Sequence, residues 1–445
     1  MRAAIALLPW GDVIEDFLDT IGISLGQLRD EYTGGWLFGY VDALATAGVD
    51  TVLVCVSRQV RAPVRTRHAP TGAELVLLPQ SLPHRLLRRP LAHPYAWSAR
   101  AAARGPGPLA GARAAAALPL AAYAATPVVA LARELRRRRV AALLCQEYEY
   151  ARFDVCTALG RALAIPVFAT FQGGAQTRPG LEERVRPHAM AAAAGFVVAA
   201  GGEARRLERE HGVPAARIHR IPNPVTHAGG AGAVRAARRS ALGLPADAVV
   251  AAWHGRVELH RKGLDVLLDA WEALARRPRL PERRLLLVGT GTDAAALRAR
   301  LTGTAGVTWL DRYLTDRAAL AALLAAADLY AFPSRHEGFP VAPLEAMASG
   351  LPVVAADAPG IAEILPGGEA DGGTIVPRDD PGALADALAA LIGDPGRRAE
   401  LGRNARRRAA EAFSPEAVGR ALRRVLLGSM SRSATRGVRA GSMEP

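Results

Sequence analysis

Short apolar runs recur along the whole chain, each followed by a longer Ala-, Leu- and Arg-rich stretch of helical character. In the first half the runs are AAIALLP (3–9), TVLVCVS (51–57), ELVLLP (74–79), AALLCQE (141–147), PVFATF (166–171) and GFVVAA (195–200). In the second half they are AVVAAWHG (248–255), RLLLVG (284–289), VTWLD (307–311), LYAFPS (329–334), PVVAAD (352–357) and GTIVP (373–377). A strand buried on both faces reads as a continuous apolar run, and strands alternating with helices build a parallel sheet covered by helices. The fold class is therefore α/β, each set of runs forming one parallel sheet. At 445 residues the chain is also too long for a single ordinary core, so length and pattern both predict two domains.

The joint between the sets falls near IHRIPNPVTHAGGAGAVRAARRS (218–240), where Pro and Gly interrupt the alternation after a strand-like RIHRIP. The expected organisation is a first domain over 1–215, a second over 216–396, a helix over 397–428 packing back toward the first domain, and a disordered polar tail over 429–445. Two open parallel sheets joined this way leave a cleft at the carboxyl edges of their strands, where such folds bind ligands.

The net charge of +14 raises the question of a polyanionic partner. Its arginines are spread over helical stretches such as RELRRRRV (133–140) and RNARRRAAEAF (403–413), without interleaved aromatics or glycine-rich basic arms. That pattern argues against nucleic acid and for a phosphate-bearing ligand or an anionic membrane leaflet. Segment 83–105 mixes Arg with Leu, Tyr and Trp and is expected to touch such a leaflet. Cys55, Cys145 and Cys156 form no C-x-x-C pair and no His/Cys cluster, the pattern of buried thiols in a reducing compartment without disulfide or zinc. The N-terminal apolar run is too short for a signal peptide, so the expected location is cytoplasmic, peripheral to the inner face of the plasma membrane. Residues 114–132 are uncharged and long enough for a membrane span, but ten of the 19 are Ala and two are Pro. They are read as an Ala-rich buried helix.

Chemistry concentrates in PSRHEGFPVAPLEAMASGLPVVAADAPGIAEIL, residues 333–365. Its HEGF loop and following helix offer free backbone N–H groups and a positive dipole end, an anion site. Glu337 and Glu345 beside that site make sense if they face uncharged hydroxyls, since a carboxylate accepts two hydrogen bonds from a vicinal diol. A nucleotide-sugar carries both diols and phosphates. The second constellation is GRVELHRKG (255–263), which brings Arg256 and Lys262 to the loop after a strand. Lys262 is the one lysine in the chain, against 55 arginines. A compact point charge can follow a leaving phosphate in a way a planar guanidinium does not. The third is Gly289 and Gly291 of LLLVGTG, with Gly34 and Gly35 before an N-terminal helix, where backbone can approach a ligand closely. No Asp-x-Asp metal motif accompanies these groups, so no metal and no cofactor are expected.

GRVELHRKG, LLLVGTG, PSRHEGFPVAPLEAMASGLPVVA and APGIAEIL resemble the retaining glycosyltransferases of family four, the glycosyl transferases group 1, with Gly34-Gly35 and IPNPV around Asn223 as weaker marks. The resemblance implies the GT-B fold, two Rossmann-like domains facing across a cleft. It implies that Glu337, Arg256 and Lys262 serve the reaction, with Glu337 at the donor sugar and the two cations on the donor diphosphate. Glu345 is implied at the ribose, and Gly338, Phe339, Pro340 and Val341 beside the donor. It also implies a metal-independent front-face substitution with retained configuration, transferring to a glycan, lipid-linked or small-molecule acceptor in bacterial polysaccharide or cell-envelope synthesis.

Gln172, in ATFQGG, stands where many members carry His, and Gln is no general base near pH 7. Glu147 and Glu149 of QEYEYARFD are therefore acceptor-side candidates with Gln172, the alternative for the stretch being a surface ion-pair cluster. His336 is read as a loop residue without a catalytic role. Three other functions fit some of the pattern: a phosphorylase or epimerase on the same scaffold, an idle nucleotide-sugar-binding protein, and a nicotinamide-dependent dehydrogenase. The last needs G-x-G-x-x-G after the first strand, and LLPWGDVIED lacks it.

Overall fold

The structure is a computed structural model, and it describes residues 3–9, 12–93, 95–96, 98–172, 180–226, 232–314 and 316–439. The strands are β1 (Ala4–Leu8), β2 (Asp50–Ser57), β3 (Val64–Arg67), β4 (Glu74–Pro79), β5 (Val140–Gln146), β6 (Val167–Thr170), β7 (Gly195–Val198) and β8 (Ile218–Arg220), then β9 (Val249–His254), β10 (Arg283–Val288), β11 (Val307–Leu310), β12 (Leu329–Phe332), β13 (Val353–Ala356) and β14 (Gly373–Val376). The first eight form one sheet in the order β3-β4-β2-β1-β5-β6-β7-β8, and the last six form another in the order β11-β10-β9-β12-β13-β14. Each order reverses next to the first strand of its set, the crevice at which doubly wound sheets bind ligands.

The period of two explains why both sheets are covered on both faces. Along β1, Ile5 and Leu7 enter one core and Ala6 and Leu8 the core on the other side. Along β10, Leu285 and Leu287 face one layer and Leu286 and Val288 its opposite. Every run read as a strand is one. The first sheet is not wholly parallel, however, because β3 pairs antiparallel with β4. Its sequence, VRTR, is mostly exposed and carries two arginines, as an edge strand that must not recruit another chain does. Lacking an apolar run, it left no signal.

β8 lies past the expected boundary at 215 and pairs with β7, so the first sheet extends to Arg220 and residues 221–226 link the domains. The stretch expected as one helix over 397–428 is two, Pro395–Phe413 and Pro415–Arg439. Pro415 has no N–H to continue the first helix, and Ser414 turns the chain. The first of these helices places Ala405, Ala409 and Phe413 in the second domain's core. The second places Val418, Leu422 and Leu426 in the first domain's core, against the helix Gly35–Thr46. Contact there is close enough that a Cβ on Gly419 would lie 1.9 Å from the carbonyl oxygen of Ala43. Residues 429–439, expected as tail, continue this helix, and 440–445 lie outside the described residues.

The uncharged stretch at 114–132 is not one buried helix. It spans the helices Pro108–Ala124 and Val128–Arg137, separated at Pro127. Pro108–Arg137 is long and apolar enough to cross a membrane by length and composition alone. One face of the first helix, Ala114, Ala117, Leu118, Ala121 and Ala122, is buried, while Leu109 and Leu120 point outward.

Candidate active site

Between the carboxyl edges of the two sheets lies a cleft of about 360 Å³. Its second-domain wall is built from the loops after β9 and β10, the segment after β11, and the loop and helix after β12. Gly34 and Gln172 come from the first domain. Arg256, Lys262, Gly289, Glu337, Val341 and Glu345 face them. Ties across the mouth join the domains: Arg317 pairs with Asp42 at 2.8 Å, and its backbone N–H donates to Thr33 Oγ1 at 3.2 Å. On another side the Glu363 carboxylate accepts from Gly201 N at 2.7 Å, satisfying an N–H at a helix start that has no partner within its own helix.

Lys262 and Glu337 are 75 residues apart, yet Lys262 Nζ donates to Glu337 Oε1 at 2.7 Å. Both are largely withdrawn from solvent, with side chains 19 % and 9 % exposed. Arg335 holds their two loops in register. Its guanidinium donates to both oxygens of Asp265, at 2.7 and 2.8 Å, to the His260 carbonyl at 2.5 Å and to Asp379. Its backbone N–H donates to the Arg261 carbonyl at 3.0 Å. Gly263 completes the seam, for its φ is +63° and a Cβ there would overlap the carbonyl of Pro333. A planar, always-charged fork reading a carboxylate bidentately makes a rigid brace. Arg335 carried no assignment in the sequence, although it sits two residues before Glu337.

Glu345 lies in the first turn of the helix Ala342–Ala348 and meets His254, whose Nε2 is 2.9 Å from Glu345 Oε2. His254 ends β9 and was likewise unassigned, its one sequence signal being the place at a carboxyl strand edge two residues before Arg256. Its Nδ1 is buried without a partner among the described residues. Arg256 is half-exposed and lines the cleft, and among the described residues its one ion pair is a long contact with Glu258 at 3.4 Å.

The glycines meet a constraint beyond the one expected. A Cβ on Gly289, at φ +138°, would lie 1.9 Å from the Gly255 carbonyl, and one on Gly291 would lie 2.4 Å from that of Val257. These residues let two loops touch each other, and Gly289 alone of the pair lines the cleft. Gly35 opens the helix Gly35–Thr46 behind Gly34. Gly338, Phe339 and Pro340 support the wall: Phe339 packs toward Phe413, Pro340 is buried, and Gly360 fits against the Gly338 carbonyl. His336 is exposed.

On the first-domain side the side chain of Gln172 is fully engaged. Its Nε2 donates to Thr170 Oγ1 at 3.0 Å and Asn223 Oδ1 at 3.2 Å, and its Oε1 accepts from Asn223 Nδ2 at 2.9 Å. This reciprocal amide pair ties the loop after β6 to the interdomain linker. Glu147, at φ +57°, sits behind it and accepts from the Gln172 N–H at 2.9 Å. Burial raises the Glu147 carboxyl to about 8. Burial also raises Glu149, whose partner is Arg206 at 2.6 Å. QEYEYARFD is thus neither a surface ion-pair cluster nor part of the cleft wall. Both glutamates are buried, Arg152 binds the carbonyls of Pro9 and Asp12, and Asp154 pairs with Arg186. Among the described residues no group of three or more His, Cys, Asp or Glu is placed to hold a metal ion.

Residues 248–394, which carry β9 to β14 and both the Lys262–Glu337 and the His254–Glu345 pairs, match the family model described as Glycosyl transferases group 1. The chain is 40 % identical over 183 residues to D-inositol 3-phosphate glycosyltransferase of Saccharomonospora viridis, covering 39 % of this chain and 42 % of that protein. It is 35 % identical over 190 residues to the lipopolysaccharide core biosynthesis mannosyltransferase LpsB of Rhizobium meliloti, covering 41 % and 53 %. The chain thus spans about half the length of these curated relatives. Over nearly the whole chain the fold is similar to sucrose-phosphate synthase from Thermosynechococcus elongatus, with TM-score 0.63, 21 % identity and coverage of 98 % and 100 %. It is also similar to Anabaena HepE in complex with UDP-glucose, with TM-score 0.63, 16 % identity and coverage of 97 % and 100 %. The second domain is a glycosyl transferases group 1 domain, and the molecule that carries it has the GT-B fold.

Proposed function

We propose that this chain is a retaining glycosyltransferase that moves a sugar from a nucleotide-diphosphate sugar to a glycan, lipid-linked or small-molecule acceptor. The carrying observation is the pairing of Lys262 with Glu337 beside that of His254 with Glu345, in one cleft with a half-exposed Arg256. The transferase names of the relatives and the UDP-glucose held by HepE support the same reading. A diphosphate entering the cleft competes with Glu337 for Lys262 and brings Arg256 onto its second phosphate. Glu337, released, accepts from hydroxyls of the donor sugar. Glu345, oriented by His254, accepts from the ribose diol. The acceptor oxygen then bonds to the anomeric carbon on the face from which the phosphate oxygen departs, and the acceptor proton passes to that oxygen. Arg256 and Lys262 meet the growing negative charge, without a metal ion in this account. No protein base is required, in keeping with a Gln172 amide already committed to Asn223. A cytoplasmic place in polysaccharide or cell-envelope synthesis belongs to the same reading.

The test is a thermal-shift screen of UDP-, GDP- and ADP-sugars, followed by product analysis with the best binder and candidate acceptors. Transfer that is lost in Glu337→Ala, with the fold retained, is expected. Donor isomerisation, phosphorolysis, or binding without any turnover would overturn it.

A further inference from the structure

Between Glu74 and Glu134 the chain runs 59 residues without a single acidic side chain, yet with seven arginines. These residues form the helices Leu82–Leu87, Ala99–Ala102 and Pro108–Ala124, which pack on one another as a small layer. Its outer surface holds a groove of about 770 Å³ lined by Leu86, Pro90, Leu109 and Leu120 together with Arg89 and Arg113. Leu109 is 65 % exposed and Leu120 51 %, far more than isolated surface leucines need explaining for. The side chains of Arg89 and Arg113 make no ion pair or hydrogen bond within the described residues, whereas Arg88, turned inward, binds both oxygens of Asp16. The acids beneath this layer are spent in the same way, Asp16 on Arg88 and Tyr95, and Asp154 on Arg186 and Tyr123. The outward potential is therefore positive without local compensation.

We infer that this face docks on an anionic phospholipid bilayer, with the leucines of the groove in the headgroup–acyl boundary and the arginines on lipid phosphates. Charge complementarity selects this occupant. A second copy of the chain would set one face of uncompensated arginines against another in a molecule already at +14. The surface differs from the one expected from segment 83–105. The Tyr95 hydroxyl is tied down, donating to Asp16 at 2.9 Å, and the apolar partner comes from the helix Pro108–Ala124. The helix Leu82–Leu87 begins just past Pro79, at the carboxyl edge of the first sheet, the edge that also carries Gln172 to the cleft. Docking therefore sets the acceptor side of the cleft near the lipid surface, a consequence that rests on the transferase reading, whereas the docking itself does not.

The experiment is co-sedimentation of the full chain with phosphatidylcholine vesicles, with and without phosphatidylglycerol, at low and high salt. Binding is expected only to the anionic vesicles, falling with salt, and falling about fivefold for each of Arg89→Ala and Arg113→Ala. Leu109→Asn with Leu120→Asn, at exposed positions, is expected to weaken binding further at an unchanged Tm. Nucleotide-sugar thermal shifts stay as in the wild type in all of these variants, which separates a failure here from a failure of the transferase reading. The proposal is overturned if the wild-type chain ignores anionic vesicles, if the variants bind as it does, or if the same substitutions dissolve a homodimer instead.

Discussion

Glu147 shows how a buried titratable group makes stability depend on pH. Burial lifts its carboxyl to about 8, so the folded chain holds a proton that the unfolded chain releases near the ordinary carboxylate value. Below that ordinary value both states are protonated and Glu147 costs nothing extra. As pH rises toward 8 the unfolded state gains relative stability, to roughly 5 kcal/mol at the upper end. Glu147→Gln keeps the acceptor for the Gln172 N–H and removes the titration. It is expected to melt with the wild type at pH 5 and several degrees above it at pH 9, a difference that thermal melts across that range measure directly. Equal slopes for the two proteins would mean that Glu147 is ionised at neutral pH. The sequence placed Glu147 among acceptor contacts because polar residues at a strand's carboxyl edge commonly face a cleft. What it could not show is the left-handed turn at this residue, which sends the carboxylate inward behind the loop after β6.

At the scale of elements, the loops after β9 and β12 work as one unit because Arg335 stitches them. Arg335→Ala removes a bidentate contact to Asp265 and a hold on the His260 carbonyl, so Lys262 and Glu337 lose their common frame. Donor turnover is expected to fall on the order of a hundredfold, since small displacements of reacting groups carry large rate costs. Arg335→Lys cannot form the fork and is expected to recover only part of it. A positioning role predicts that both kcat and KM for the donor change while the Tm moves by only a few degrees. An unchanged kcat/KM would remove Arg335 from the account. The twelve apolar runs were legible as strands because burial on both faces demands continuous apolarity. β3 was not, since an exposed edge strand needs no such run. The glycines of LLLVGTG were legible as necessary, but their reason, a carbonyl of a neighbouring loop, is a contact between segments far apart in sequence.

The whole molecule is held by its C-terminal helix as well as by the linker. Pro415–Arg439 leaves the second domain and lies on the helix Gly35–Thr46 of the first. Gly419→Ala puts a methyl group against the Ala43 carbonyl and is expected to cost about 2 kcal/mol, seen as a lower Tm. An unshifted melt would show that the two helices separate freely. Two sheets and a cleft followed from the sequence, because strand number and order of appearance are local properties. The ties that set the cleft, Arg317 to Asp42 and Glu363 to Gly201, were not legible, since each joins residues on different domains. Lys262 was legible as a chemical exception in a chain that otherwise uses arginine, and its contact with Glu337 gives that exception a place. The central claim is that this lysine carries the charge of a departing diphosphate. Sugar transfer at saturating donor should fall 10²- to 10³-fold in Lys262→Ala, roughly as for loss of one transition-state charge partner, and about tenfold in Lys262→Arg, with both Tm values near that of the wild type. Transfer by Lys262→Ala at the wild-type rate would contradict it.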